Sequence, residues 1–199
     1  MKNNLTEIVF ILDRSGSMAG LESDTVGGFN AMLKKQRECE GDAYVSTVLF
    51  NDRSSVLHDR VPIEQVRPIT VDDYAVSGCT ALYDAIGFAV KHIGNVHKYA
   101  RPEDVPEHTV FFITTDGMEN TSRRFTLSDV QRLIRRQTEH FGWEFVFLAA
   151  NIDEKETADA LGIGRESSVR FDSTSDGVQA CFSQINAKMM QIRSRKPKV

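Results

Sequence analysis

The sequence is poor in cysteine and proline, and it has no long apolar run. Its 199 residues include 3 cysteines, 5 prolines and 1 tryptophan. Cys39, Cys79 and Cys181 form no Cys-x-x-Cys pair. That excludes a disulfide framework and a zinc knuckle, and it fits free thiols in a reducing, cytoplasmic compartment. The apolar run from Ile8 to Leu12 is too short for a signal-peptide core and stops at Asp13. No stretch approaches the roughly 20 apolar residues of a membrane span, so no membrane association is expected. A basic excess is also missing. The chain has 24 basic and 28 acidic residues, a net charge of −4, which argues against broad binding to nucleic acid.

What remains is ordinary for a globular protein: 41% hydrophobic and 26% charged residues. At roughly 150 residues per domain, one domain is expected. It would cover residues 1–193, followed by a basic, frayed tail at 194–199. No repeat, low-complexity segment or internal linker interrupts it.

Strand-like and helix-like segments alternate along this length. Ile8 to Leu12 is a β-branched and aromatic run suited to a strand buried on both faces. A helical pattern from about Ser23 to Cys39 places Val26, Phe29 and Leu33 on one face. Tyr44–Phe50 and Ser54–Val61 read as strands, and the short Asn51-Asp52-Arg53 connection makes them an antiparallel hairpin. Residues 62–78 look irregular. Leu82, Ala85, Ile86, Ala89, Val90 and Ile93 recur at helical spacing. Val110–Ile113 is a further buried strand. Thr126 and Asp129 then have capping-box spacing, with Phe125 and Val130 placed for a hydrophobic staple. Phe145–Ala149 and Ser168–Phe171 are strands flanking a short helix that ends at Gly162. Val178, Cys181, Phe182, Ile185, Met189 and Ile192 line a last helix. This order predicts an α/β fold: a doubly wound, mostly parallel six-stranded sheet with helices on both faces and one antiparallel edge strand. Such sheets bind ligands beyond the carboxyl ends of their strands.

The residues at those ends are small and oxygen-rich. Asp13-Arg14-Ser15-Gly16-Ser17 follows the first strand, and Asp116-Gly117 follows Thr114-Thr115 at the end of the fourth. Ser77-Gly78-Cys79-Thr80 leads into a helix between them. Two carboxylates, Asp13 and Asp116, with three hydroxyls, Ser15, Ser17 and Thr80, suit a hard cation. Mg²⁺ is the best match, with Mn²⁺ or Ca²⁺ as alternatives. Neutral hydroxyl ligands cancel little of an ion's charge, which leaves it able to accept an outside carboxylate. Gly16 lets the loop turn tightly. The same residues also have plainer uses. Asp13, Ser15 and Ser17 are turn and cap residues, Thr80 can cap the helix after it, and Asp116 can be a turn aspartate.

Asp13-x-Ser15-x-Ser17, together with Thr80 and Asp116 in these contexts, resembles the signature of von Willebrand factor A domains, and the resemblance covers nearly the whole chain. It implies the Rossmann-like sheet described above. It also implies a metal-ion-dependent adhesion site that binds a protein partner through an Asp or Glu. By that analogy Ser15 and Ser17 ligate directly, Thr80 and Asp116 directly or through water, and Asp13 mainly through water. Relatives inside cells work beside AAA+ ATPases or in stress responses, so a partner of that kind is expected.

The competing reading is a Mg²⁺-dependent phosphatase-like hydrolase with Asp13 as nucleophile. It lacks a general acid, because Ser15 stands where that chemistry needs a second aspartate. No nucleophile elbow or phosphate-binding loop follows a strand, so no enzyme activity is expected. Around the site, Glu119 and Asn120 are expected to shape the rim and Arg14 to point outward. Cys79 is expected to be inert, His92 and His97 to be surface residues, and Arg132, Arg135 and Arg136 to form a solvated basic stripe.

Overall fold

The computed structural model describes residues 2–195. Its sheet has six strands: β1 (Lys2–Asp13), β2 (Asp42–Phe50), β3 (Ser54–Pro62), β4 (Pro106–Thr115), β5 (Glu144–Ala149) and β6 (Ser168–Arg170). They lie in the order β3-β2-β1-β4-β5-β6, with β3 antiparallel to β2 and every other pair parallel. The helices are α1 (Glu22–Arg37), α2 (Leu82–Tyr99), α3 (Leu127–Phe141), α4 (Glu154–Leu161) and α5 (Ser175–Arg193). The doubly wound α/β architecture is therefore as expected, including the antiparallel edge. Among the described residues no helix is long and apolar enough to cross a membrane.

Alternation along the central strands sends side chains into two separate cores. Ile8, Phe10 and Leu12 of β1 meet Phe29 and Leu33 of α1 and Phe182, Ile185 and Met189 of α5. Val9 and Ile11 meet Leu82, Ile86 and Val90 of α2, with Val130 and Ile134 of α3. Near-continuous apolar strands are what two covered faces require. The rings of Phe10 and Phe29 pack edge-on at 5.1 Å.

β1 starts earlier than the apolar run alone indicates. Thr6 and Glu7 are buried, and Glu7 tolerates this because Arg60 of β3 (2.8 Å) and His97 of α2 (3.3 Å) reach its Oε2. His97 is therefore not the surface residue expected; its ring also packs edge-on against Trp143 at 5.3 Å. Thr126 and Asp129 do form the capping box of α3. Phe125, expected to staple that helix with Val130, packs against the core cluster that holds Val130 and also lies over Gly87 of α2. Of the tail expected at 194–199, Ser194 closes α5 and Arg195 pairs with Glu144 at 2.5 Å; residues 196–199 lie outside the described residues. Residues 63–78 are irregular but anchored. Asn30 of α1 brackets Ile69, accepting from its amide and donating to its carbonyl, both at 2.9 Å. Ile63, Val66, Ile69 and Tyr74 are all buried.

Candidate metal centre

Parallel strands bring β1 and β4 to the same edge side by side, so their following residues converge. Asp13 ends β1, with its side chain 1% exposed. Its Oδ1 accepts the Ser15 amide at 2.7 Å and its Oδ2 accepts the Thr115 hydroxyl at 2.6 Å. The first contact is an Asx turn. It rotates the chain so that Ser15 and Ser17 face the same point, their hydroxyl oxygens 3.2 Å apart. The Ser17 hydroxyl donates to Asp116 Oδ1 at 2.5 Å, closing the circuit between the first and fourth strands. Gly117 sits between Ser17 and Thr80; a Cβ placed on it would lie 3.5 Å from both hydroxyl oxygens. The structure thus brings together all five residues expected from sequence. Asp13, Ser15, Thr80 and Asp116 are buried, and Ser17 is exposed, so the cluster opens to solvent on the Ser17 side.

Three neighbouring segments hold the loops. The Gly16 amide donates to Gly78 O at 3.0 Å, and the Ser77 amide donates to Arg14 O at 3.0 Å. Asp52, at the hairpin tip, accepts the Cys79 amide at 2.7 Å. Asn120 Oδ1 accepts the Thr80 amide at 3.0 Å, and the Asn120 amide donates back to Thr80 O at 3.1 Å. Beneath the site, the buried Tyr74 hydroxyl donates to the Asp13 carbonyl.

Several expectations need correction. Thr80 does not cap α2: Ala81 occupies the N-cap without a side-chain bond. The free amides are capped from across the site instead, Tyr83 by Glu119 (2.9 Å) and Asp84 by Ser122 (3.0 Å). Glu119 is thus an anchor rather than a rim residue. It also takes the amides of Thr121 and Ser122. Arg14 does not simply point outward; it is half-buried, with Nε enclosed and unpartnered among the described residues. Asp52, Tyr74 and Thr115 carry no sequence signal of their roles. Asp52 resembles any hairpin aspartate, Tyr74 lies in a segment without periodicity, and Thr115 reads as part of its strand.

The electrostatics test whether a cation fits. Burial holds the Asp13 carboxyl above the ordinary carboxylate range, with the nearby Asp116 charge adding to the effect. Burial likewise raises Asp116, partly offset by the Ser17 hydroxyl. Asp116 Oδ2 is buried with no hydrogen-bond partner among the described residues. Among the described residues neither carboxylate has an ion-pair partner. Two enclosed carboxyls, one of them with an orphaned oxygen, and three neutral hydroxyls are the donor types that a hard divalent ion takes. Among the described residues no three His, Cys, Asp or Glu side chains gather as a metal cluster, at this site or any other; here only two carboxylates converge, and the remaining donors are hydroxyls.

No family model and no curated protein matches the sequence, but solved structures match in three dimensions. The vWF domain of the type V pili tip protein Mfa5 from Porphyromonas gingivalis superposes with a TM-score of 0.67 at 9% identity, over 100% of this chain and 99% of that one. Proximal thread matrix protein 1 from the mussel byssus superposes with a TM-score of 0.63 at 17% identity, over 99% of this chain and 49% of that chain. The structure of that protein with a zinc-occupied MIDAS motif gives 0.64 at 16% identity, over 94% and 46%. This chain therefore spans about half the length of the byssus protein. At these identities the likeness establishes the fold, which is that of a von Willebrand factor A domain.

Proposed function

We propose that the chain is a metal-dependent protein-binding module that takes a partner's Asp or Glu carboxylate at a Mg²⁺ ion held by Asp13, Ser15, Ser17, Thr80 and Asp116. The observation that carries this reading is the buried, unpartnered Oδ2 of Asp116 beside three converging hydroxyls. The zinc-occupied MIDAS motif of the byssus protein supports divalent-ion binding on this fold. When bound, the ion supplies an electrophile for a carboxylate oxygen. The chain's own residues do the rest. Ser15 N and Thr115 Oγ1 fix the orientation of Asp13, while Asp52 and Asn120 fix the loop that presents Thr80. Ser17 marks the open side, and Met118, two residues after Asp116, is 73% exposed. Hydrolysis with Asp13 as nucleophile is disfavoured, because that carboxylate is buried and each of its oxygens already accepts a hydrogen bond.

The experiment is thermal unfolding with and without Mg²⁺. At about 100 times Kd a ligand adds about 2.7 kcal/mol, or roughly 5–10 °C for a chain of this size. Asp13→Ala with Ser15→Ala should abolish the rise. Ser17→Ala, at the exposed position, should reduce it without touching the buried part of the site. An equal rise in all variants sinks the assignment. A pull-down with Mg²⁺ or EDTA, with Asp116→Ala as control, tests partner capture.

A further inference from the structure

Beside the proposed metal site lies a groove of about 1140 Å³, walled by the β2–β3 hairpin, the outer side of α2 and the 121–125 loop. Four cations line it: Arg53, Lys91, Arg123 and Arg124. All four are exposed, and among the described residues none has an ion-pair partner. Lys91 lies 4.6 Å over the Phe125 ring, which holds it at the groove wall. The two aspartates in the lining are committed to backbone amides. Asp52 takes the Cys79 amide, and Asp84 takes those of Arg123 (3.0 Å), Arg124 (2.8 Å) and Phe125 (2.9 Å). Asp84 thereby folds the 123–125 turn so that its arginines stand beside the groove. His92, also in the lining, is turned to Asp59 at 2.7 Å. Phe88, 39% exposed, adds an apolar surface among the cations. In a chain of net charge −4, this concentration of unpaired cations is a local reversal of sign.

The groove and the metal site share walls. Asp52 lines the groove and holds Cys79, the residue before Thr80. Thr121 lines it too, and follows Asn120, which holds Thr80 from the other side. The loop that presents Thr80 is therefore held on both sides by residues at the groove wall. We propose that the groove receives an acidic segment of the protein partner, contiguous with the residue that enters the metal site. This deepens the metal-dependent reading and rests on it. Arginine forks suit carboxylates, and exposed cations of this kind select partners and accelerate encounter. Nucleic acid is the less favoured occupant, because a long polyanion would have to extend over the rest of a chain of net charge −4, whereas a short acidic segment stays within the groove.

The test is fluorescence anisotropy on the full chain with two labelled peptides. Each carries one Asp in a Gly/Ser frame, flanked on both sides by runs of Glu in one peptide and of Gln in the other. With Mg²⁺ the Glu peptide should bind about tenfold tighter than the Gln peptide, the summed effect of several exposed pairs. Combined Arg53→Gln, Arg123→Gln and Arg124→Gln should erase that preference and leave Mg²⁺-dependent binding of the Gln peptide intact. Arg53→Glu alone, at the hairpin tip, is a second variant that should reduce it. Equal affinity for the two peptides, a preference that survives the triple variant, or no binding of either at millimolar concentration overturns the proposal. So does an oligothymidylate that displaces the Glu peptide at equal charge concentration, which assigns the groove to nucleic acid. A preference that is lost in the triple variant but survives EDTA and Asp116→Ala supports the groove while refuting the metal site.

Discussion

At the scale of single residues, Asp13 and Asp116 are enclosed, without a cationic partner among the described residues, and raised in pKa chiefly by burial. A carboxyl with a raised folded pKa opposes folding once ionised, so in EDTA these residues act against stability at neutral pH. Asp116→Asn exchanges a buried charge for a buried amide, which is less costly to desolvate. The variant is expected to melt higher than the wild type in EDTA and to lose the Mg²⁺ response; thermal scans in both buffers check it. A variant that melts lower in EDTA would show that Asp116 is stabilising in its own right. Tyr74 works in the opposite direction. It is 0% exposed, and its hydroxyl serves the Asp13 carbonyl. Tyr74→Phe should cost about 1–3 kcal/mol, read as a lower urea midpoint. Asp13, Ser15, Ser17, Thr80 and Asp116 were legible because each follows a strand or opens a helix. Tyr74 was not, because its partner is a backbone carbonyl 61 residues away.

At the scale of elements, what sequence foretold best was the period of the helices. The residues expected to line α2 and α5 are all buried, joined only by Gly87 and Arg193. Element ends were harder wherever a partner from elsewhere decides them. Glu7 lengthens β1 only because Arg60 and His97 come to it, and α2 begins on amides capped by Glu119 and Ser122 rather than by its own threonine. The seam between α1 and α5 shows the same dependence. A Cβ on Gly28 would lie 2.5 Å from the Phe182 ring, which packs edge-on to Phe29 at 6.3 Å. Alanine in a helix ordinarily stabilises relative to glycine. Here it must displace the Phe182 ring from its packing on Phe29, so Gly28→Ala should destabilise by about 1–3 kcal/mol as an overpacked site. Phe182→Ala should cost about 3–5 kcal/mol through lost burial and a cavity. If the position of α5 is not coupled to the metal site, Phe182→Ala lowers the urea midpoint and leaves Mg²⁺-dependent partner affinity unchanged; a changed affinity establishes the coupling.

For the whole molecule, a net charge of −4 hides opposing local terms that pH separates. His58 on the edge strand is buried, with Nδ1 3.1 Å from Thr47 Oγ1 and Nε2 unpartnered among the described residues. Burial, and next the Arg67 charge, lower its pKa below 6.5. The unfolded state therefore binds more protons than the native state below pH 6.5, and stability is lost as pH falls through that window. For Asp13 and Asp116 the sign is reversed. Their folded values are raised above 3.8, so in EDTA their contribution falls as pH rises from 3.8 through the raised values. A divalent ion needs both groups ionised, so its stabilisation grows over the same range. The difference in melting temperature with and without Mg²⁺ isolates this term, because His58 contributes equally to both scans. That difference should be near zero at about pH 4 and reach its full size towards neutrality, following carboxylates of raised pKa. His58→Gln should flatten the loss of stability below pH 6.5 in both buffers and leave the difference unchanged. A Mg²⁺ shift independent of pH, or one abolished by His58→Gln, places the ion away from Asp13 and Asp116.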